Sequence, residues 1–255
     1  MKAVIFAGPS LPPALRPNDP ALEWRPPVKQ GEVYEAALGR PAIIGIIDGY
    51  FEVTPTVWHK EILWAMAQGI HVYGSASIGA LRAAELHPFG MVGIGRIFAA
   101  YRDGILTDDD EVAVLHGPEE LGYPAVTEAM VNIRAALDKA IAERVIDQAL
   151  GDRVTEVGKA LFYKDRNWDA ILRLAARDLS PIVLDHLAAW LSTGQRDQKR
   201  IDAQTMIAVT RAHLSAGVIP PKVLYRFHET GYHTAAAQQV VGAAQDGQIF
   251  PRPNL

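Results

Sequence analysis

The run Ala42-Ile43-Ile44-Gly45-Ile46-Ile47, stopped by Asp48-Gly49, decides the architecture of this 255-residue chain. An apolar run this short, with no alternating polar face, reads as a strand buried on both sides of a parallel sheet. Upstream, Lys2 to Ala7 is a second apolar run, ended by Gly8-Pro9. Between them, proline-rich Pro12 to Pro27 is expected to be an irregular loop and Glu32 to Leu38 a small helix. Downstream, Thr54-Pro55 supplies an N-cap and a first-turn proline, so a helix is expected from Thr56 to Gln68, closed by Gly69. Ile70 to Tyr73 is the next strand, and Gly74-Ser75-Ala76-Ser77-Ile78-Gly79 turns into a helix ending near Leu86. Strand, helix, strand, turn, helix is a βαβ unit and the start of another, with right-handed crossovers.

Further along, Gly90 to Gly95 reads as a glycine-rich connection to a short helix over Ile97 to Arg102. From Asp103 to Asn132 there is no lysine or arginine, while Asp103, Asp108, Asp109, Asp110, Glu111, Glu119, Glu120 and Glu128 all fall there, which predicts an acidic surface. A strand is expected at Glu111 to Leu115 and a long helix from near Thr127. Apolar residues then recur at helical spacing over Val131 to Leu150, Thr155 to Phe162, Trp168 to Ala176, Ile182 to Leu191 and Ala203 to Ala216, with helical periodicity to about Gly247 and a frayed tail at Phe250 to Pro253. The expected class is α/β: a mainly parallel N-terminal sheet with flanking helices over 1–125, then an all-helical part over 126–255.

Composition narrows the chemistry. No cysteine is present, so disulfides, thiol nucleophiles and cysteine-ligated metals are excluded. The formal net charge of −4 offers no global basic field for nucleic acid or anionic membranes. No apolar run is long enough to cross a bilayer and no signal peptide is evident, so a cytoplasmic protein is expected. The histidines show no metal-ligand spacing, the glycines of 90–95 form no Walker or dinucleotide motif, and no cofactor is called for.

In open α/β sheets, ligands gather at the carboxyl ends of the strands. There Ser77 stands at a strand-to-helix turn whose free N–H groups, at Ile78 and Gly79, suit a developing oxyanion. The turn departs from G-x-S-x-G because the preceding glycine is three residues away, and Ser75 or Ser77 serves equally well as a helix cap. Lys60 lies in an otherwise apolar helix, where desolvation and the positive helix end favour a neutral amine able to act as base. The other reading of Lys60-Glu61 is a surface patch, and His59 is the competing base. Asp48 could hold a metal, orient Lys60 or satisfy turn amides, while Glu52 and Glu85 are candidate partners for Arg82.

Taken together, Gly8-Pro9-Ser10, the stretch from Ile46 through Asp48-Gly49-Tyr50-Phe51-Glu52 to Leu63, Gly74 through Ser77 to Leu86, and Gly90 to Gly95 with Asp109-Asp110-Glu111-Val112-Ala113-Val114 resemble the TfuA-like family over roughly residues 1–135. The resemblance implies a partner of YcaO enzymes, which activate a peptide amide so that sulfur replaces its oxygen. It also implies a hydrolase-like Ser–Lys site, Ser77 with Lys60, that releases sulfide from a thiocarboxylated ThiS-type carrier protein. Asp48, Gly49, Ser75, Ile78, Gly79, Arg82 and His59 would then surround the carrier's tail, with Arg82 or protonated Lys60 neutralising the thiocarboxylate. Glycines near the turn would line a narrow channel for a Gly-Gly tail, or simply allow close helix–sheet packing. Other readings are a noncatalytic adaptor that strengthens YcaO's hold on its peptide, and a phosphate-binding switch.

Overall fold

The computed structural model describes residues 1–50, Glu52 and 54–228. Five strands form one parallel sheet in the order β2-β1-β3-β4-β5: β1 (Ala3–Phe6), β2 (Leu22–Arg25), β3 (Ile43–Ile46), β4 (His71–Ser75) and β5 (Val92–Ile94). β3 lies between β1 and β4, with Ile44 opposite both Val4 and Val72, and is buried along its whole length. That is the environment its continuous apolar pattern predicts.

The helices α1 (Glu32–Leu38), α2 (His59–Ala67), α3 (Ile78–Leu86) and α4 (Arg96–Arg102) share one core with Val4, Phe6, Ile44, Ile46 and Val72 of the sheet. The helices α5 (Met130–Ala142), α6 (Gln148–Ala160), α7 (Trp168–Ala175) and α8 (Pro181–Gly194) enclose a separate core around Ile133, Leu137, Val154, Ile171 and Leu187. The last helix, α9 (Gln198–Ala216), returns to the sheet, where Ala203, Met206 and Ile207 cover Ile5, Ile43 and Tyr73 on the second face. Among the described residues, no helix is long and apolar enough to cross a membrane.

Several local expectations are corrected. Pro12 to Pro27 is not wholly irregular: the proline-free residues Leu22–Arg25 supply β2, an edge strand that needs only β1 as partner. Gly90 to Gly95 contains β5, where a Cβ on Gly93 would lie 2.1 Å from the Phe98 ring, so this glycine serves packing rather than a loop. Glu111 to Leu115 is no strand. A 3-10 turn spans Asp109–Glu111, the Val112 N–H donates back to Asp109 O, and the Leu115 N–H donates to Thr127 Oγ1. Val131 to Leu150 is broken after Ala142: Arg144 takes a left-handed φ of 59°, and Asp147 caps α6 by accepting the Leu150 N–H. The long helix begins at Met130 rather than near Thr127, and residues 217–228 contain no helix. The helical periodicity and tail expected beyond 228 lie outside the described residues.

Candidate active site at the carboxyl edge of the sheet

Parallel strands bring the loops after β1, β3 and β4 to one edge of the sheet. After β1, Gly8-Pro9-Ser10 is held by Asp48 from the end of β3: Asp48 Oδ2 accepts the Gly8 N–H at 2.8 Å and the Ser10 N–H at 3.0 Å, while Oδ1 accepts the Ser10 hydroxyl at 2.6 Å. Of the roles open to Asp48, satisfying turn amides is the one built here. Gly49 follows because a Cβ there would meet Ile78 Cγ2 at 2.7 Å and Val28 O at 3.0 Å.

After β4 the chain turns within three residues. Ala76 adopts φ 64° and the Ser77 N–H donates to Ser75 O at 2.8 Å, a tight turn that a residue with a Cβ takes only at a cost of about 1 kcal/mol or more. The Ser75 hydroxyl is committed to Ile94 O at 2.8 Å, tying β4 to β5. Ser77 occupies the N-cap of α3 without using its side chain to cap it, and the residue is 8% exposed. The capping role is therefore not the one its hydroxyl plays.

The expected oxyanion donors divide. The Gly79 N–H is engaged by Ile47 O at 3.3 Å, whereas the Ile78 N–H has no partner among the described residues. A Cβ on Gly79 would lie 1.8 Å from Ile46 O, and one on Gly74 would lie 2.1 Å from Gly79 O. These glycines bring α3 against the sheet, so of the two readings offered for them, close packing is the one realised.

α2 starts later than Thr56 because Glu61 defines its first turn. Its Oε1 accepts the Trp58 N–H at 2.7 Å, and its carboxylate also accepts the Gly31 and Val33 N–H groups at the start of α1. Glu61 is thus a buried carboxylate joining two helix N-termini, not part of a surface patch. Burial pushes its pKa up from 4.5 to about 7, against the pull of those N–H groups. The folded state holds this proton more tightly than the unfolded chain. Its contribution to stability is therefore full below about pH 4.5 and declines by up to ~3 kcal/mol as pH rises to about 7. Urea titrations across that window should show the decline in the wild type and a flatter profile in Glu61→Gln.

Lys60 is exposed, so the desolvation expected from its apolar helix is absent: it sits on the outer side of the first turn while Glu61 faces inward. His59 Nε2 lies 2.8 Å from Glu85 Oε2, which also accepts from Arg82 at 2.8 Å, and Arg82 Nε donates to Val57 O at 3.1 Å. His59, Arg82 and Glu85 form a clamp between α2 and α3. Glu52 does not join them; it pairs with Lys164 at 2.9 Å and accepts from the Tyr163 hydroxyl at 2.8 Å. A cavity of about 240 Å³ opens beside the corner, lined by Tyr50, Thr54, Thr56, Ile78 and Arg82 among others.

Part of the acidic stretch, at 108, 110 and 111, is neutralised by basic side chains from elsewhere in the chain, while Asp109, Glu119 and Glu120 are exposed, as an acidic surface requires. Lys159 contacts Asp108 at 3.0 Å and Glu111 at 3.2 Å as well as Asp110, Arg134 grips Glu111, and Arg166 donates to Asp110 Oδ2 at 2.7 Å. Asp108, Asp110 and Glu111 are close enough together to hold a metal ion, yet the Lys159 ammonium already occupies that role. Sequence reasoning missed Lys199 entirely. It is 3% exposed and its Nζ donates to Val112 O at 2.7 Å; the one available signal was Asp197, a capping residue that moves the start of α9 upstream of Ala203.

No curated protein matches the chain. A family model described as TfuA-like protein matches residues 48–167, a little under half of the chain. The matched stretch runs from Asp48 through α2, the Ser77 corner, β5 and the ion-pair network to Asn167. The chain is therefore similar to the TfuA-like proteins over that stretch, the segment that carries the Ser77 corner.

Proposed function

We propose that this protein releases sulfide for a YcaO enzyme by hydrolysing a ThiS-type carrier protein that ends in a thiocarboxylate. The observation that carries the proposal is the Ser77 hydroxyl, which stands at a strained strand-to-helix corner and is not used as a cap. Ser77 Oγ attacks the thiocarboxyl carbon, giving a tetrahedral oxyanion that the Ile78 N–H faces. The C–S bond breaks, sulfide leaves as HS⁻, and the carrier remains as an ester of Ser77. Water then attacks the ester, restoring the hydroxyl and releasing the carrier with an ordinary carboxylate.

Hydrosulfide is a better leaving group than an amine, so the base at Ser77 is the main requirement. Lys60, in the first turn of α2, is the base we assign to that role. Its exposure means that the docked carrier must supply the dry surroundings that favour a neutral amine. Arg82 lines the cavity beside the corner and is the cation we assign to the thiocarboxylate.

Sulfide release from a thiocarboxylated carrier, followed with a thiol-reactive dye, tests the assignment. Ser77→Ala should lose at least about a hundredfold in kcat while still binding YcaO. Lys60→Arg should lose activity despite keeping its charge, because arginine does not give up its proton. Unchanged release by Ser77→Ala would leave the adaptor role. Normal turnover by Lys60→Arg would move the base to another group, with His59 the first to examine.

A further inference from the structure

A second cavity lies at the same edge, above the junction of β1 and β3, where the strand order changes direction and ligands of open α/β sheets collect. It holds about 250 Å³ between the Pro9-Ser10 turn and the first residues of α5 and α9. Its buried cation is Lys199, whose ammonium carries three N–H groups; Arg200, also in the wall, is paired with Asp197. One goes to Val112 O, and among the described residues no acceptor takes the other two. Burial pushes the Lys199 pKa down, while Asp48, Asp197 and Glu128 pull it up. α5 begins at the rim without a side-chain cap, leaving the N–H groups of Met130 and Val131 without partners among the described residues.

The opposite wall is acidic, and its two carboxylates differ. Asp197 is the more heavily engaged: it accepts the Arg200 N–H and the Asn132 amide, and it pairs with the Arg200 guanidinium at 2.9 Å. Among the described residues Glu128 accepts only from Gln195, at 3.2 Å, and keeps lone pairs open. A phosphate dianion would meet both carboxylates and be repelled. A single carboxylate with an N–H a few bonds behind it complements both walls.

We propose that this cavity binds an α-carboxylate together with its adjoining N–H, the end of a peptide or a free amino acid, with the carboxylate on Lys199 and the N–H on Glu128. Ser10, Glu128 and Lys199 have no part in the sulfide-release mechanism, and Ser10 and Lys199 lie outside the family match. The site therefore goes beyond that mechanism and does not depend on it.

Titration of the 15N-labelled full chain with N-acetylglycylglycine, glycine, acetate and inorganic phosphate, followed by amide shifts, tests it. N-acetylglycylglycine should give saturable shifts at Ser10, Asn132 and Lys199, and Lys199→Met should weaken it at least tenfold. Glu128→Gln should weaken N-acetylglycylglycine more than acetate. Tighter binding of glycine than of the peptide would assign free amino acids as the source; the reverse would assign a chain terminus. The proposal is overturned by the absence of saturable shifts in the wild type, by equal affinity in folded Lys199→Met, or by phosphate binding as tightly as the peptide. Should Lys199→Met not fold, Glu128→Gln and the wild-type ranking of the four probes decide the matter. The readout is binding alone, so the sulfide-release result has no bearing on it.

Discussion

Gly79→Ala should destabilise the protein by about 3 kcal/mol or more, enough to leave little folded material. The new Cβ would sit 1.8 Å from Ile46 O and 2.6 Å from Ile46 C. Both atoms belong to the backbone of the central strand and have no rotamer to adopt. Relief requires α3 to lift off β3, which stretches the Gly79 N–H bond to Ile47 O and opens the core beneath Ala80 and Ala83. Ala80→Gly, one residue further along, is the control: it loses a methyl group and some helix propensity, worth about 1 kcal/mol. Urea denaturation distinguishes the two. A Gly79→Ala protein within 1 kcal/mol of the wild type would mean that α3 does not pack on the sheet as described, and the position of Ser77 would fall with it.

Arg166→Met should cost about 3–5 kcal/mol, because it removes a fully buried guanidinium and leaves Gly158 O, Leu161 O and Asp110 Oδ2 without the donor they share, with Lys159 alone still on Asp110. The Arg166 side chain is fully buried. Its guanidinium donates to Gly158 O, Leu161 O and both the backbone and side-chain oxygens of Asp110. It thus joins the end of α6 to the acidic turn at 109–111. Methionine fills much of the same volume and supplies none of these donors. The expected signature is a lower urea midpoint together with faster proteolysis in the 108–128 stretch. Stability equal to the wild type would show that Lys159 alone can hold the acidic turn.

The elements legible in the sequence are those whose pattern depends on themselves. β3 and β4 are short apolar runs ended by glycine or serine, and their burial on both faces required exactly such runs from the start. β2 and β5 escaped because each is short and is made a strand by its neighbour: Leu22 to Arg25 lines up on Ala3 to Phe6, and Gly93 is shaped by the Phe98 ring. Helical periodicity ran across the break at 143–147 because the pattern tolerates a left-handed Arg144 that no residue type announces. The acidic stretch is exposed at Asp109, Glu119 and Glu120, as expected, but the pairing of Asp110 is invisible in the sequence because Lys159 and Arg166 lie far along the chain.

The same division holds for the site. Ser77 was legible from the strand-to-helix turn, and whether its hydroxyl capped the helix was a question that only geometry answers. For Lys60 the surface reading holds and the desolvated one does not, whereas Glu61 is buried, contrary to both. Neighbours on a helix face different ways, and the inward one is the glutamate, drawn to the N-termini of α1 and α2. The desolvation sought at Lys60 occurs instead at Lys199, whose burial depends on α5 and α9 meeting the sheet.

The most direct test of the mechanism is to mix the protein with a thiocarboxylated carrier, quench in acid within the first turnover, and measure intact mass. The account predicts an adduct equal to the carrier less hydrogen sulfide, mapping to Ser77 after digestion and absent from Ser77→Ala. Sulfide released at the wild-type rate by Ser77→Ala, or an adduct mapping to another residue, would contradict it.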